Sequence, residues 1–179
     1  INDIDEIPNL KNINFKEVKN KIVIFKQQIF YYKFNLLYPS VPWFGSRACK
    51  KKNFLSPQWL RNTKHKKYPL WRLDILFSKR KYNNIFYVNN GGWHFTNIKS
   101  PKDIEKKLLN YTHHYEFEQS GLTLDDLRKK ISEKKIIYDH NVDQRSFKWS
   151  SNKTLKKIEL SDMPSYLQNN YKKYTNWLE

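Results

Sequence analysis

The sequence predicts a mixed α/β fold, because β-branched and aromatic segments dominate its first half and capped amphipathic helices its second half. Aromatic residues make up 16% of the chain, a share that excludes a simply disordered protein, since disordered chains are poor in aromatics. No linker, internal repeat or low-complexity tract divides the sequence. We therefore expect a single domain over residues 1–179.

The first half of the chain is predicted to be rich in strands. Residues 1–6 have the pattern of a strand end with acidic residues at its tip, and Pro8 is expected to stop it because proline donates no hydrogen bond to a ladder. The segment 22–37 fits two strands or a strand with a short helix, and Pro39 and Pro42 are expected to break it. The remaining predictions are a short helix or loop over 8–19 and strands over 43–48, 71–77 and 85–88.

The second half is predicted to hold three helices, each with its own start signal. Ser100 is expected to cap a helix whose first residue is Pro101. Thr123 is expected to cap a second helix, with Asp126 at its third position. The third prediction is a helix over 164–171 that Asp162 caps, with Tyr166 and Leu167 facing inward.

The chain is strongly basic, which predicts an anionic partner. It carries 34 Lys and Arg against 17 Asp and Glu, a formal charge of +17 at pH 7. Nucleic acid, anionic lipid and phosphorylated ligands all complement such a charge. The lysines are dispersed, and no recognition helix, zinc finger or RNA-binding aromatic motif is visible. We expect a diphosphate rather than a nucleic acid, and a non-catalytic basic module that binds an anionic polymer is the alternative.

Several classes of protein are excluded by composition. The one cysteine, Cys49, excludes an internal disulfide framework and a multi-cysteine zinc site. No apolar run approaches the roughly 18 residues of a membrane span. The chain begins at Ile1 rather than at a methionine, so we interpret it as a fragment whose natural start lies upstream.

The sharpest local feature is the acidic pair Asp3 and Asp5. In an extended segment these two side chains project to the same side, and two carboxylates side by side suit Mg²⁺ or Mn²⁺. His94 follows the paired glycines Gly91 and Gly92, which permit close approach to a ligand, and would add a nitrogen donor. The competing interpretations are a solvated acidic turn and a core histidine beside a core tryptophan.

A second polar cluster, His113-His114-Tyr115-Glu116, follows the helix predicted at Pro101. Its histidines and its glutamate have the chemistry for proton transfer. A polar helix terminus explains the same residues equally simply.

The order and spacing of these motifs resemble glycosyltransferase family 17, the family of β-1,4-mannosyl-glycoprotein 4-β-N-acetylglucosaminyltransferase, which adds bisecting GlcNAc to N-glycans. The likeness extends over nearly the whole chain. The segments that carry it are Asp3–Pro8, Ile29–Tyr32 with Asn35, Trp43–Gly45, Gly92–Phe95, His114–Glu116 and Met163–Tyr171.

The resemblance implies a GT-A-type, Rossmann-like nucleotide-sugar transferase domain with a mixed sheet and flanking helices. In that fold the Asp-x-Asp motif lies near the middle of the domain, whereas here it occupies residues 3–5. The chain is therefore expected to be the C-terminal part of the domain, with the upstream nucleotide-binding half missing.

The implied activity is transfer of GlcNAc, or a related sugar, from a UDP-sugar to a hydroxyl of an acceptor glycan, with inversion. Asp3, Asp5 and His94 are the implied ligands of Mn²⁺ or Mg²⁺, which would offset charge on the departing UDP. No membrane span and no nucleic-acid partner are expected for this part of the protein.

Further roles follow from position in the same pattern. Arg47 and Lys107 are candidates for offsetting diphosphate charge, and Trp93, with Trp43 and Tyr32, for stacking on a sugar face. Inversion needs a carboxylate within reach of the attacking hydroxyl. The candidates for this base are Glu116 first, then Asp74 and Glu6.

Overall fold

The computed structural model describes residues 1–66, 68–69, 71–111, 114–139, 148–149 and 151–179. The described strands are β1 (Glu6–Pro8), β2 (Ile22–Phe25), β3 (Gln27–Tyr31), β4 (Leu36–Trp43), β5 (Arg47–Cys49), β6 (Ile85–Val88), β7 (Gly92–Thr96) and β8 (Lys156–Lys157). The described α-helices are α1 (Pro57–Asn62), α2 (Pro101–Leu109), α3 (His114–Ser120), α4 (Leu124–Ser132) and α5 (Ser165–Asn169). Short 3₁₀ helices lie at Leu10–Asn12, Lys51–Asn53, Leu73–Ile75, Leu160–Asp162 and Tyr171–Trp177.

These elements belong to two compact units, each made of two stretches of chain. Unit 1 comprises Ile1–Gln28 with Pro42–His94, and unit 2 comprises Ile29–Val41 with Phe95–Glu179. Unit 1 contains most of the predicted site residues, including the acidic pair and the histidine of the glycine motif.

Unit 1 is organised around β2, which is buried along its whole length. It pairs antiparallel with β5 and parallel with β6, so the three strands form a mixed sheet in the order β5-β2-β6. Val23 and Phe25 pack against Val88 on one face. The other face carries Ile22 and Ile24 against Trp59 and Leu60. Because both faces are covered, β2 is continuously apolar rather than alternating.

The second strand pair of unit 1 positions the site. β1 and β7 run antiparallel, with Glu6 opposite His94 and Pro8 opposite Gly92. Gly92 has a φ of +125°, and a β-carbon there would lie 2.1 Å from the carbonyl oxygen of Ile7. Only glycine permits this close approach of the two backbones, so the paired-glycine motif sets the register that brings His94 beside the acidic segment.

Unit 2 combines packed helices with the neighbouring strands β3, β4 and β8. Helix α2 packs against both α3 and α4, and buries Ile104 and Leu108. The first residues of β4 pair antiparallel with β8, with Leu36 opposite Lys157. The interior is rich in aromatic side chains, with Tyr31 meeting Tyr38 edge to face at 6.2 Å between ring centroids.

Several sequence predictions are confirmed. The protein is mixed α/β, 85–88 is a strand, and both predicted caps are present. The Ser100 side chain accepts a hydrogen bond from the backbone N–H of Asp103, and Thr123 forms a full capping box with Asp126. No described helix is long and apolar enough to cross a membrane.

Other local predictions are wrong. Strand β4 continues through Pro39 and Pro42, because proline's fixed φ is compatible with an extended strand wherever its position needs no ladder donor. The segment 71–77 forms a 3₁₀ turn rather than a strand. The last α-helix begins after Pro164 rather than at a cap on Asp162, and it buries Leu167 but leaves Tyr166 60% exposed.

Residues 1–6 also differ from the extended strand end that we predicted. Ile4 and Asp5 form a turn, and β1 begins only at Glu6 and includes Pro8. The turn is closed by the backbone N–H of Glu6, which donates to the carbonyl of Asp3 at 3.1 Å.

The capping box of α4 gives a stability prediction. Thr123→Ala should lower the free energy of unfolding by about 1 kcal/mol, because the side-chain acceptor for the Asp126 N–H is lost. The side-chain and backbone donors of Thr123 hold the pKa of Asp126 below its usual range, so the same change should raise that pKa. Urea unfolding and a carboxyl titration by NMR measure the two effects. Thr123→Ser should preserve both values, and an unchanged stability of Thr123→Ala would contradict the capping role.

Candidate functional site

The acidic segment before β1 is folded into a closed turn. The Glu6 carboxylate accepts a hydrogen bond from the backbone N–H of Asp3 at 3.1 Å, and the Asn2 side chain donates to the carbonyls of Asp3 and Glu6, each at 3.0 Å. The extended geometry expected to align Asp3 with Asp5 is therefore absent at this turn. The two carboxylates contact different partners.

Asp5 and His94 lie next to each other. Their Oδ1 and Nδ1 atoms are 3.7 Å apart; the imidazole is buried, whereas 37% of the Asp5 side chain is exposed. The indole of Trp43 stacks on the His94 ring, with centroids 4.5 Å apart and planes 11° from parallel. The stack fixes the plane of the imidazole. Solvent reaches the Asp5 carboxylate, whereas the Nδ1 atom of His94 is buried.

Glu6 is buried beneath this pair, with 3% of its surface exposed. Its carboxylate accepts hydrogen bonds from Trp43 Nε1 at 2.6 Å and from Ser46 Oγ at 3.2 Å, besides the Asp3 N–H. A β-carbon on Gly45 would lie 1.7 Å from Glu6 Oε1, so the glycine makes room for the carboxylate. Glu6 thereby holds the indole that stacks on His94.

A buried amide links β7 to the same network. Gln27 Nε2 donates to the carbonyl of Trp93 at 3.3 Å, and its Oε1 accepts from the Ser46 N–H at 3.3 Å. The side chain of Trp93 is only half-buried. Gln27 thus joins the backbone of Trp93, the residue before His94, to the backbone of Ser46.

Asp3 forms an ion pair with Arg61. The two side chains meet through two contacts of 2.6 and 3.0 Å, and both are about half exposed. Arg47 donates from Nη1 to the carbonyl of Arg61. Burial lowers the pKa of the Arg47 guanidinium and Arg61 lowers it further, whereas Glu6 and Asp3 act in the opposite direction. Two guanidinium groups therefore lie beside the acidic turn.

Asp74 lies elsewhere in unit 1, exposed in the 3₁₀ turn Leu73–Ile75. It accepts hydrogen bonds from Arg72 and Lys81, which lower its pKa to about 2. A carboxylate with so low a pKa is a weak proton acceptor at neutral pH.

Two predicted residues belong to unit 2. Glu116 lies on α3 with 14% of its side chain exposed, and Lys148 Nζ contacts it at 3.2 Å. Lys107, on α2, donates to the side-chain oxygen of the buried Asn97 at 2.9 Å. His114 is exposed at the start of α3, and His113 lies outside the described residues.

The donor atoms at Asp5 and His94 are of types that bind divalent cations. Carboxylate oxygen and imidazole nitrogen are both ligands of Mn²⁺-type ions, and Mg²⁺-type sites take one or two carboxylates, with substrate phosphates and water filling the rest. Asp3 does not join this pair, because Arg61 engages its carboxylate. Across the part of the chain that the structure describes, no three His, Cys, Asp or Glu side chains group closely enough to hold a metal ion.

Three residues of this site were not among those that the sequence predicts. Gln27, Ser46 and Arg61 lie far along the chain from the residues they support, and none belongs to a recognisable motif. The only signal available was weak: Ser46 directly follows the Trp43–Gly45 segment that the resemblance marks.

Comparison with protein-family models, with curated proteins and with solved structures finds no match to this chain.

The buried carboxylate predicts an unequal response of two tryptophans. Trp43→Phe should lower the free energy of unfolding by about 1.5–3 kcal/mol, because a charged hydrogen-bond acceptor loses its donor while buried. Trp71→Phe is the control, since that side chain is 79% exposed and no described hydrogen bond involves its indole. Urea unfolding measures both variants. Equal stability of the two would contradict the role assigned to the Trp43–Glu6 bond.

Proposed function

We propose that the protein is part of a metal-dependent glycosyltransferase of GT-A type, as its resemblance to glycosyltransferase family 17 implies. It transfers GlcNAc, or a related sugar, from a UDP-sugar to a hydroxyl of an acceptor glycan, with inversion. The observation that carries the proposal is the Asp5–His94 pair, which brings an oxygen and a nitrogen donor within 3.7 Å from opposite ends of unit 1's sequence.

Asp5 and His94 would hold a Mn²⁺ or Mg²⁺ ion together with the donor diphosphate. When bound, the ion supplies Lewis-acid stabilisation of the charge that develops on the leaving UDP. Asp3 leaves the ligand set proposed from the motif and instead orients Arg61. This assignment makes the two acidic residues of the motif unequal, which is a testable difference.

The chain's own residues contribute orientation and positive charge. Trp43 holds the imidazole plane of His94, and Glu6 holds Trp43. Arg61 and Arg47 keep guanidinium groups beside the acidic turn, a suitable charge for phosphate oxygens. Preorganised groups of this kind stabilise charge in a transition state without having to reorganise.

Among the three candidate bases, Glu116 has the most suitable surroundings. Glu6 is less suitable because it is buried and accepts three hydrogen bonds. Asp74 is less suitable because two cations lower its pKa to about 2. Glu116 forms an ion pair with Lys148 and retains some solvent exposure. We assign it the role of accepting the proton of the attacking hydroxyl.

The first test compares the two aspartates of the motif in the full-length protein. Asp5→Ala should reduce Mn²⁺-dependent turnover of UDP-GlcNAc by about 100-fold or more, since removing even an outer partner of a ligand costs 10–100-fold. Asp3→Ala should cost less, because that carboxylate contacts Arg61. Release of UDP with and without Mn²⁺ measures both variants.

Asp125→Ala is the control for that test, since Asp125 is exposed on α4 and pairs only with Arg128 among the described contacts. Full Mn²⁺-dependent turnover by Asp5→Ala would reject the metal role. Binding of RNA that weakens steeply with salt, without Mn²⁺-dependent binding of UDP, would instead favour the basic-module alternative.

The second test concerns the base. Glu116→Gln should lower kcat by roughly 10²–10⁴-fold while leaving UDP affinity unchanged, because the amide cannot accept the proton. The acidic limb of the kcat profile with pH should disappear in the same variant. Glu118→Gln, an exposed change on the same helix, is the matched control. Wild-type turnover by Glu116→Gln would remove Glu116 from the mechanism.

A further inference from the structure

Unit 1 exposes a cluster of large apolar side chains on the segment 71–77, which we call the 71–77 loop. Trp71 is 79% exposed, Leu73 69%, Leu76 77% and Phe77 88%. Single exposed apolar side chains are ordinary on a protein surface, but four within seven residues form a patch of the kind that marks an interaction site. The proposed transferase chemistry makes no use of them.

The loop has a defined local structure. The N–H groups of Ile75 and Leu76 donate to the carbonyls of Arg72 and Leu73 at 3.2 and 3.0 Å. Ile75 is the buried member of the segment, with 9% of its surface exposed. The backbone thus turns tightly around one anchored side chain, and this turn leaves the four apolar neighbours in solvent.

Positive charge surrounds the loop. The sequence from 64 to 82 contains seven Lys and Arg and one acidic residue, Asp74. That carboxylate is itself paired with Arg72 and Lys81, at 2.7 and 2.6 Å. Lys66, Lys79 and Arg80 are exposed. Exposed basic residues therefore flank the apolar side chains on both sides in the sequence.

We propose that the 71–77 loop docks on an anionic lipid surface. Its apolar side chains would enter the boundary between head groups and acyl chains, where tryptophan is favoured, while the surrounding Lys and Arg contact anionic head groups. Two other occupants fit less well. A nucleic acid uses aromatic rings and charge but gives Leu73 and Leu76 no role, and a second copy would bring like charges together. The inference is independent of the transferase activity.

Vesicle sedimentation tests the proposal on the full-length protein. We expect binding to vesicles of phosphatidylcholine mixed two to one with phosphatidylserine, and much weaker binding to phosphatidylcholine alone. Trp71→Ser should lower the partition coefficient by about 10-fold, as loss of a large buried apolar side chain predicts. Tyr166→Ser, which removes a 60% exposed aromatic from unit 2, is the control and should bind as wild type.

A charge variant tests the second half of the proposal without touching the apolar residues. Lys66→Gln/Lys79→Gln/Arg80→Gln should weaken binding to the anionic vesicles by at least 10-fold, given the attraction per basic residue near such a surface. The matched control removes the same charge elsewhere, as Lys129→Gln/Lys172→Gln/Lys173→Gln.

Three results would overturn the lipid assignment. They are no vesicle binding by the folded wild type, equal losses in the test and control variants, and self-association in sedimentation equilibrium that Trp71→Ser abolishes. The last result would identify a second copy as the occupant. Because vesicle binding needs neither Mn²⁺ nor a UDP-sugar, its failure is distinguishable from failure of the proposed activity.

Discussion

The candidate site depends on burial of one carboxylate, that of Glu6. A carboxylate removed from water is costly unless its oxygens are hydrogen-bonded, and here the donors are Trp43 Nε1, Ser46 Oγ and the Asp3 N–H. These donors come from the acidic turn, the end of β4 and the loop before β5. Satisfying one charge therefore fixes three separate segments of unit 1. The Trp43–Glu6 hydrogen bond thereby helps to keep Trp43 against His94.

Three acidic residues within four positions have three different roles because their surroundings differ. Asp3 faces solvent and a guanidinium, Asp5 faces the imidazole, and Glu6 lies beneath both in the interior. An exposed pair such as Asp3–Arg61 contributes little to stability, about 0–1 kcal/mol. The Asp3–Arg61 pair instead orients a positive charge on the turn, where Asp5 and Glu6 contact other partners. Of the three, only Asp5 is both partly exposed and next to an imidazole nitrogen, the type of nitrogen that binds metal ions.

Local signals were enough to predict the parts of the fold that depend on local bonds. The caps at Ser100 and Thr123 were predicted because each is a contact between residues three apart. The continuation of β4 through Pro39 and Pro42 was not predictable from the sequence. A strand tolerates proline only where no neighbouring strand needs a hydrogen bond from its backbone N–H, and that depends on the sheet pairing. The segment 71–77 failed for a related reason: Trp, Leu, Ile and Phe favour a strand locally, but the chain turns around buried Ile75 instead.

The candidate site was predictable only in part, for the same physical reason. The sequence motifs predict that Asp5 and His94 belong to one site. The antiparallel pairing of Glu6 with His94 brings the two side chains together. The prediction that Asp3 and Asp5 project to the same side assumed an extended backbone. The backbone turns at Ile4 and Asp5, so the side chains do not follow the alternation of a strand.

Net charge was less informative still, because +17 is the same number whether the cations face a diphosphate or a membrane. The positions of the cations distinguish these two cases. Arg61 forms an ion pair with the acidic turn, whereas Lys79 and Arg80 follow the exposed Phe77 in the sequence. A basic surface with large apolar side chains and one without them attract different anions, so the patch, rather than the charge, selects the partner.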